Sequence, residues 1–208
     1  MAKLFSRVSG GLVVAGILCF AGGFWIPAKA IVAQYLLQRA WQQSVVTGAT
    51  VKAWPWADTW PVGRLQVDRL GIDLIVLEGE SGEVLAFGPG HLPQSSSPGT
   101  EGHCILAGHR DTSFAFLREL QEGDVLLVHG KSGKRIYHVQ TTTVVRAEDL
   151  YLDRERAELL TLITCFPFEA VMPGTPLRFV VTAEAESVAA GIERRLLVEK
   201  TSNRGRKH

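Results

Sequence analysis

Apolar residues along this chain fall mostly into short runs that are separated by turn-forming residues. Glycine, with 21 residues, lies mainly between these runs. Regular spacing of short apolar runs predicts an all-β domain, either a closed barrel or a sandwich. One stretch, SFAFLREL (113–120), instead predicts a short helix, with Asp111 or Thr112 as its N-cap. The predicted strands are RLQVDRL, IDLIVLEG, HCILAG, DVLLVHG, KRIYHVQTTTVVRA, LLTLITC and TPLRFVVTAEA.

The N-terminal pattern is different. Residues 8–28 form a stretch of 21 residues without a charge, with Lys3 and Arg7 before it and Lys29 after it. A helix of this length spans the hydrocarbon core of a bilayer, so the pattern predicts a transmembrane anchor with the N-terminus inside. The alternative is a cleaved signal peptide ending at residues 28–30 (AKA). The long apolar stretch and the charged middle residue of that site favour the uncleaved anchor.

Two further segments lie between the predicted anchor and the first strand. Apolar residues recur at helical spacing over residues 30–46, which predicts a helix that leads away from the membrane. Residues 53–65 (AWPWADTWPVGRL) then contain three tryptophans and two prolines, a composition that does not suit a flexible linker. Packing against the domain surface is the favoured interpretation, and a lid or groove wall is the alternative.

The composition and charge of the chain bear on which classes of function are expected. The chain has 208 residues, 46% of them hydrophobic and 21% charged, with a net charge of +1. This is an ordinary globular composition, and the near-zero charge gives no indication of nucleic-acid binding. The six histidines show no spacing typical of a zinc site, since the chain has neither an HExxH motif nor paired CxxC motifs.

The three cysteines have different settings. Cys19 lies inside the predicted anchor, whereas Cys104 and Cys165 lie in predicted strands. In an exported domain the latter two could form a disulfide, and each could also be a buried core residue. The sequence leaves these alternatives open.

Candidate chemistry is concentrated at two strand ends. In AGHRDTSF (107–114), His109 follows a buried-type strand and a glycine, so its backbone is fixed while its side chain is presented by a turn. In TLITCFPF (161–168), Cys165 ends a strand, and Arg178 follows thirteen residues later on the next strand. The three side chains could form a nucleophile, an acid or base, and an oxyanion donor. Strand alternation turns Thr164 to the face opposite Cys165, which predicts a supporting role for Thr164.

The order AGHRDT, then TLITC, then Arg178 resembles the sortases, a family of membrane-anchored cysteine transpeptidases. The resemblance covers about residues 60–185. The residues of the AGHRDT motif and the tryptophan-rich segment before the barrel look most like those of the sortases of Gram-negative bacteria. It implies an eight-stranded β-barrel with the site at the ends of neighbouring strands. The division expected is 1–29 cytoplasmic tip and anchor, 30–62 juxtamembrane helix and approach, 63–186 catalytic barrel, and 187–208 basic tail.

The resemblance also implies an activity. Cys165 is expected to cleave an LPxTG-like sorting motif near the C-terminus of a target protein through a thioacyl-enzyme, with transfer to an unidentified amine or to water. His109 is expected to act as general acid and then base, and Arg178 in the oxyanion or positioning role. No cofactor is expected. The chain would be a single-pass protein of the inner membrane with its catalytic domain on the periplasmic side. The alternative is a non-catalytic, membrane-tethered β-domain that binds a partner protein, with Cys165 as a core residue.

Overall fold

Eight β-strands form a closed barrel in a computed structural model of the chain, as the resemblance implies. The structure describes residues 29–153, 158–170, 172 and 174–187. The strands are β1 Pro61–Val67, β2 Ile72–Glu78, β3 Gly90–His91, β4 His103–Ala107, β5 Val125–Gly130, β6 Lys134–Arg146, β7 Leu159–Phe166 and β8 Leu177–Ala185.

The strands follow the order β1-β2-β3-β4-β7-β8-β6-β5 around the barrel, and β5 closes it against β1. Most neighbours are antiparallel, including β5 and β6, which form a hairpin around residues 131–133. The pairs β2–β3 and β4–β7 are parallel. The parallel β4–β7 pair requires a long connection, and the segment between these strands supplies β5 and β6 on the far side of the barrel.

Side chains alternate between the barrel interior and its outer face. Strand β1 shows this as a strict alternation of buried and half-buried positions. The interior is filled by fully buried aliphatic side chains such as Leu65, Leu106 and Leu162, together with Phe114 and Tyr137. Burying one side chain of this size contributes roughly 1.5–3 kcal/mol relative to leaving it exposed.

A second, smaller core lies outside the barrel. The helix predicted over residues 30–46 is present over residues 29–47 (α1). It packs Leu37 and Trp41 against the outward side chains of β2. Trp54 from the tryptophan-rich segment covers this core and contacts Phe87 edge-on, with ring centroids 5.1 Å apart. Trp54 therefore packs as predicted, whereas Trp56 is 79% exposed.

Several local predictions differ from the structure. Residues 113–120 form a 3-10 helix over Ala115–Glu119, and its N-cap is Phe114, without a capping side chain, instead of Asp111 or Thr112. A short helix α2 at Gly82–Leu85, capped by Ser81, was not predicted. Strand β3 has only two residues, too few to show an alternating pattern.

The predicted anchor (8–28), with Cys19, lies outside the described residues, as does the tail beyond residue 187. Within the part of the chain that the structure describes, no helix is both long and apolar enough to cross a bilayer.

Candidate active site

Cys165 and Arg178 lie directly opposite each other on the antiparallel strands β7 and β8. Residues paired in this way point their side chains to the same face of a sheet. Leu162 and Val181, which form another cross-strand pair, fill the barrel interior. Since side chains alternate, Cys165 and Arg178 lie on the outer face, and both are half-buried.

His109 reaches the same place from the other side of β7. Strand β4 runs parallel to β7, and its last residue, Ala107, pairs with Ile163. His109 and Cys165 each follow two residues later, so the main chain brings both residues to the same edge of the sheet. We call His109, Cys165 and Arg178 the site row. The structure thus brings together the three residues that the sequence singled out.

The backbone at Gly108 determines where His109 emerges. The Gly108 amide donates to the Ile163 carbonyl at 3.1 Å, and the buried Thr164 hydroxyl donates to the Gly108 carbonyl at 2.7 Å. A β-carbon on Gly108 would lie 2.6 Å from the ring of Phe114, which is fully buried, so only glycine fits. Thr164 supports the histidine backbone from the face opposite Cys165, the kind of role that strand alternation predicts for it.

The residues after His109 hold its main chain in a tight turn. The amide of Phe114 donates to the His109 carbonyl at 2.9 Å, and the Phe114 side chain is anchored in the barrel core. The imidazole itself is exposed. A fixed backbone with an exposed ring allows the imidazole to meet a substrate without losing its position.

Arg178 is held by the loop that leads into β8. One terminal nitrogen, Nη1, donates to the carbonyls of Thr175 and Leu177 at 2.6 and 2.9 Å. A guanidinium has five N–H donors, and the hydrogen bonds that Arg178 makes to the described residues use only Nη1, so the geometry leaves donors that could meet a developing oxyanion. Two residues beside this arginine were not predicted from the sequence, Arg110 and Thr175, which contact each other across the site. The adjacency of Arg110 to His109 was the one available signal.

An aromatic cluster supports the loop between β7 and β8. The rings of Phe166, Phe168 and Phe179 contact one another with centroids 5.2–6.2 Å apart. Phe168 and Phe179 also pack against the barrel core. The FPF sequence after the cysteine is therefore a hydrophobic base beneath the loop.

Cys104 and Cys165 are both free thiols, which excludes the disulfide between them. Cys104 is in the barrel interior and pairs with Leu160, five residues before Cys165. Five residues of strand span roughly 16 Å, well beyond disulfide reach. Burial raises the pKa of the Cys104 thiol to about 12. Burial is likewise the main cause that raises the pKa of the neighbouring Tyr137.

The other described histidines lack the exposure of His109. His103 is buried, with Nδ1 2.5 Å from the Asp153 carbonyl and Nε2 2.8 Å from the Thr161 hydroxyl. His91 is buried against Glu78 and the Ser96 carbonyl. Both rings connect segments of the fold. Among the described residues, no group of three or more His, Cys, Asp or Glu side chains could hold a metal ion.

Selective alkylation tests the different settings of the two thiols. We expect iodoacetamide at about pH 8 to modify Cys165 in the folded full-length protein and to leave Cys104 unmodified. A pKa of about 12 leaves roughly one Cys104 in 10⁴ as thiolate at that pH, and the side chain is fully buried. Peptide mapping by mass spectrometry measures both sites. Equal modification of the two thiols would contradict the structure.

Replacing Thr164 by valine tests the bond beneath His109. Thr164→Val keeps the side-chain shape but leaves the buried Gly108 carbonyl without its donor. We expect a loss of about 1–2 kcal/mol in the free energy of unfolding, measured with urea. Thr142→Val is the control, since Thr142 is exposed on β6, and it should change stability by less than about 0.5 kcal/mol. Equal effects of the two changes would show that the bond contributes nothing.

Comparison with known proteins identifies the family. Residues 65–186 match the model of the sortase domain. Sortase D of Bacillus subtilis (strain 168) is 34% identical over 122 residues, which cover 57% of this chain and 61% of that relative. The match therefore spans about three fifths of the relative's length.

Solved structures agree with this match. Sortase C-1 from Actinomyces oris has a TM-score of 0.53 at 32% identity, covering 62% of this chain and 74% of its own. A Clostridium perfringens Sortase D5 transpeptidase has a TM-score of 0.58, covering 75% of this chain and 99% of its own. At 18% identity the second likeness shows the fold alone. The model of the sortase domain matches more than half of the length of this chain, and this chain therefore belongs to the sortase family.

Proposed function

We propose that this chain is a membrane-anchored cysteine transpeptidase that cleaves a C-terminal sorting motif of LPxTG type and transfers the target protein to an amine. The observation that carries the proposal is the site row: Cys165 and Arg178 pair directly on β7 and β8, and His109 follows the parallel strand β4 at the same edge of the sheet. Membership of the sortase family supports the same class of chemistry.

In the first half-reaction the Cys165 sulfur, as thiolate, attacks the carbonyl carbon of the scissile peptide bond. Negative charge develops on the carbonyl oxygen, and Arg178 donates hydrogen bonds to it from the neighbouring strand. The carbon–nitrogen bond then breaks, and His109 gives a proton to the departing amine. The products are a thioacyl-enzyme and the released C-terminal piece.

In the second half-reaction an incoming amine attacks the thioester carbon. The neutral imidazole of His109 takes the proton from this amine, and the carbon–sulfur bond breaks. The target protein leaves with a new amide bond, and Cys165 is regenerated. Water attacking in place of the amine gives hydrolysis. Each step uses only the three side chains of the site row and the two substrates.

The proposed location is the inner membrane, with the N-terminus inside and the barrel on the periplasmic side. The uncharged stretch 8–28 and the basic residues before it support this orientation. Helix α1 follows the stretch directly and would lead the chain from the bilayer to the barrel. Assignment to the sortases of Gram-negative bacteria rests on the AGHRDT motif and the tryptophan-rich approach, whereas the relatives named above come from Gram-positive organisms.

Trapping the thioacyl-enzyme tests the proposed function. The full-length protein is incubated under reducing conditions with an LPxTG-type peptide and a small amine, and the reaction is quenched in acid. We expect an adduct of the N-terminal peptide fragment on Cys165 and an amide product, both measured by mass spectrometry. His109→Ala should lower turnover roughly 10²–10⁴-fold because the leaving amine loses its proton donor.

Cys165→Ala and Cys104→Ala form a matched pair of variants. The first should abolish adduct and product, whereas the second should retain both because Cys104 is inside the barrel. If a panel of sorting-motif peptides leaves Cys165 unmodified, the transpeptidase proposal fails. The non-catalytic binding domain would then be the better account.

A further inference from the structure

Arg110, the residue after His109, crosses from the histidine turn to the loop between β7 and β8. Its Nη2 donates to the carbonyls of Ala170 and Met172 at 2.5 and 2.9 Å, and its Nη1 donates to the Thr175 hydroxyl at 3.2 Å. One side chain thus binds three points along this loop. Arg110 therefore joins the turn that carries His109 to the loop that follows Cys165, through contacts that do not involve Cys165 itself.

Thr175 extends the connection to Arg178. Its hydroxyl accepts from Arg110, and its carbonyl accepts from Nη1 of Arg178. We call this chain of contacts, from Arg110 through Thr175 to Arg178, the arginine clamp. It joins the turn that carries the imidazole to the strand that carries the guanidinium.

The contacts require the particular geometry of arginine. A guanidinium is a rigid plane whose two terminal nitrogens can reach several acceptors at once, whereas a lysine ammonium is a compact point charge on a flexible stem. Charge-assisted hydrogen bonds to carbonyls are also stronger than neutral ones. The loop they hold is open to solvent between these contacts: Met172 is 73% exposed, and Gly174 has a φ of +75°.

We propose that Arg110 is a positioning residue that fixes the β7–β8 loop and, through Thr175, orients Arg178 beside Cys165 before substrate binds. The inference rests on the proposed function, because it assigns Arg178 the task of meeting the developing oxyanion. Both terminal nitrogens of Arg110 are engaged by the loop, so Arg110 acts through Arg178 and not by contact with the scissile bond.

The test compares the acylation kinetics of four full-length proteins: wild type, Arg110→Ala, Arg110→Lys and Arg118→Ala. Arg118 is an exposed arginine on the 3-10 helix and serves as the control. We expect Arg110→Ala to lower kcat/KM for the LPxTG-type peptide roughly 10–100-fold, mostly in kcat, because misplacing a catalytic group has losses of this order. Arg110→Lys should recover little of the loss, and Arg118→Ala should match wild type.

Hydrogen exchange supplies a readout that does not depend on activity. We expect faster amide exchange over residues 169–176 in Arg110→Ala and unchanged exchange in Arg118→Ala. Thr175→Val should share part of the kinetic loss. The Arg110→Ala/Thr175→Val double variant should be no worse than Arg110→Ala, since both changes break the same chain.

Three results would overturn the proposal. The first is acylation by Arg110→Ala within about 2-fold of Arg118→Ala, since a misplaced group should cost far more. The second is full recovery in Arg110→Lys, which would assign the effect to charge alone. The third is unchanged exchange in the loop. If no peptide acylates the wild-type protein, the proposed function fails instead. Hydrogen exchange would still show whether the clamp holds the loop.

Discussion

The parallel pairing of β4 with β7 is the constraint on which the candidate site depends. Five consecutive residue pairs, from His103 with Leu159 to Ala107 with Ile163, set the register of these strands. Parallel strands end at the same edge of a sheet, so the residues that follow them emerge together. A slip of one residue would move the turn that carries His109 out of line with Cys165. The bonds at Gly108, on its amide and on its carbonyl, maintain this register beyond the last strand pair.

Closure of the barrel then separates two chemical environments along the same strands. Inward side chains pack in an apolar core, where burial raises the pKa of the Cys104 thiol. Outward side chains at the strand ends meet solvent and the β7–β8 loop. Cys104 and Cys165 are the same residue type on adjacent strands, yet Cys104 is buried in the core and Cys165 is half-buried on the outer face. The face and the position along the strand decide this, and the residue type alone does not.

Much of this arrangement could be predicted from the sequence, because long alternating or apolar runs such as β6 and β7 carry a strong local signal. The three members of the site row could be identified because they lie at the ends of predicted strands and because their order along the chain resembles that of a known family. The rest depends on contacts between distant segments. The two-residue strand β3 is too short for a pattern. Phe114 lies in the core just before the 3-10 helix, whereas the sequence places it inside the predicted helix. The contacts of Arg110 join segments 60 residues apart, a relation that no local pattern contains.

Disulfide trapping measures the register at the site most directly. Ala107→Cys, His109→Cys and Asp111→Cys would each be oxidised under mild conditions in the full-length protein, and non-reducing peptide mapping would identify the partner of the new cysteine. Neighbouring strands lie about 4.8 Å apart, within the Cα–Cα range for a disulfide. The account predicts a disulfide with Cys165 for His109→Cys alone. Trapping by Ala107→Cys or Asp111→Cys instead would show a register shifted by two residues and contradict the site row.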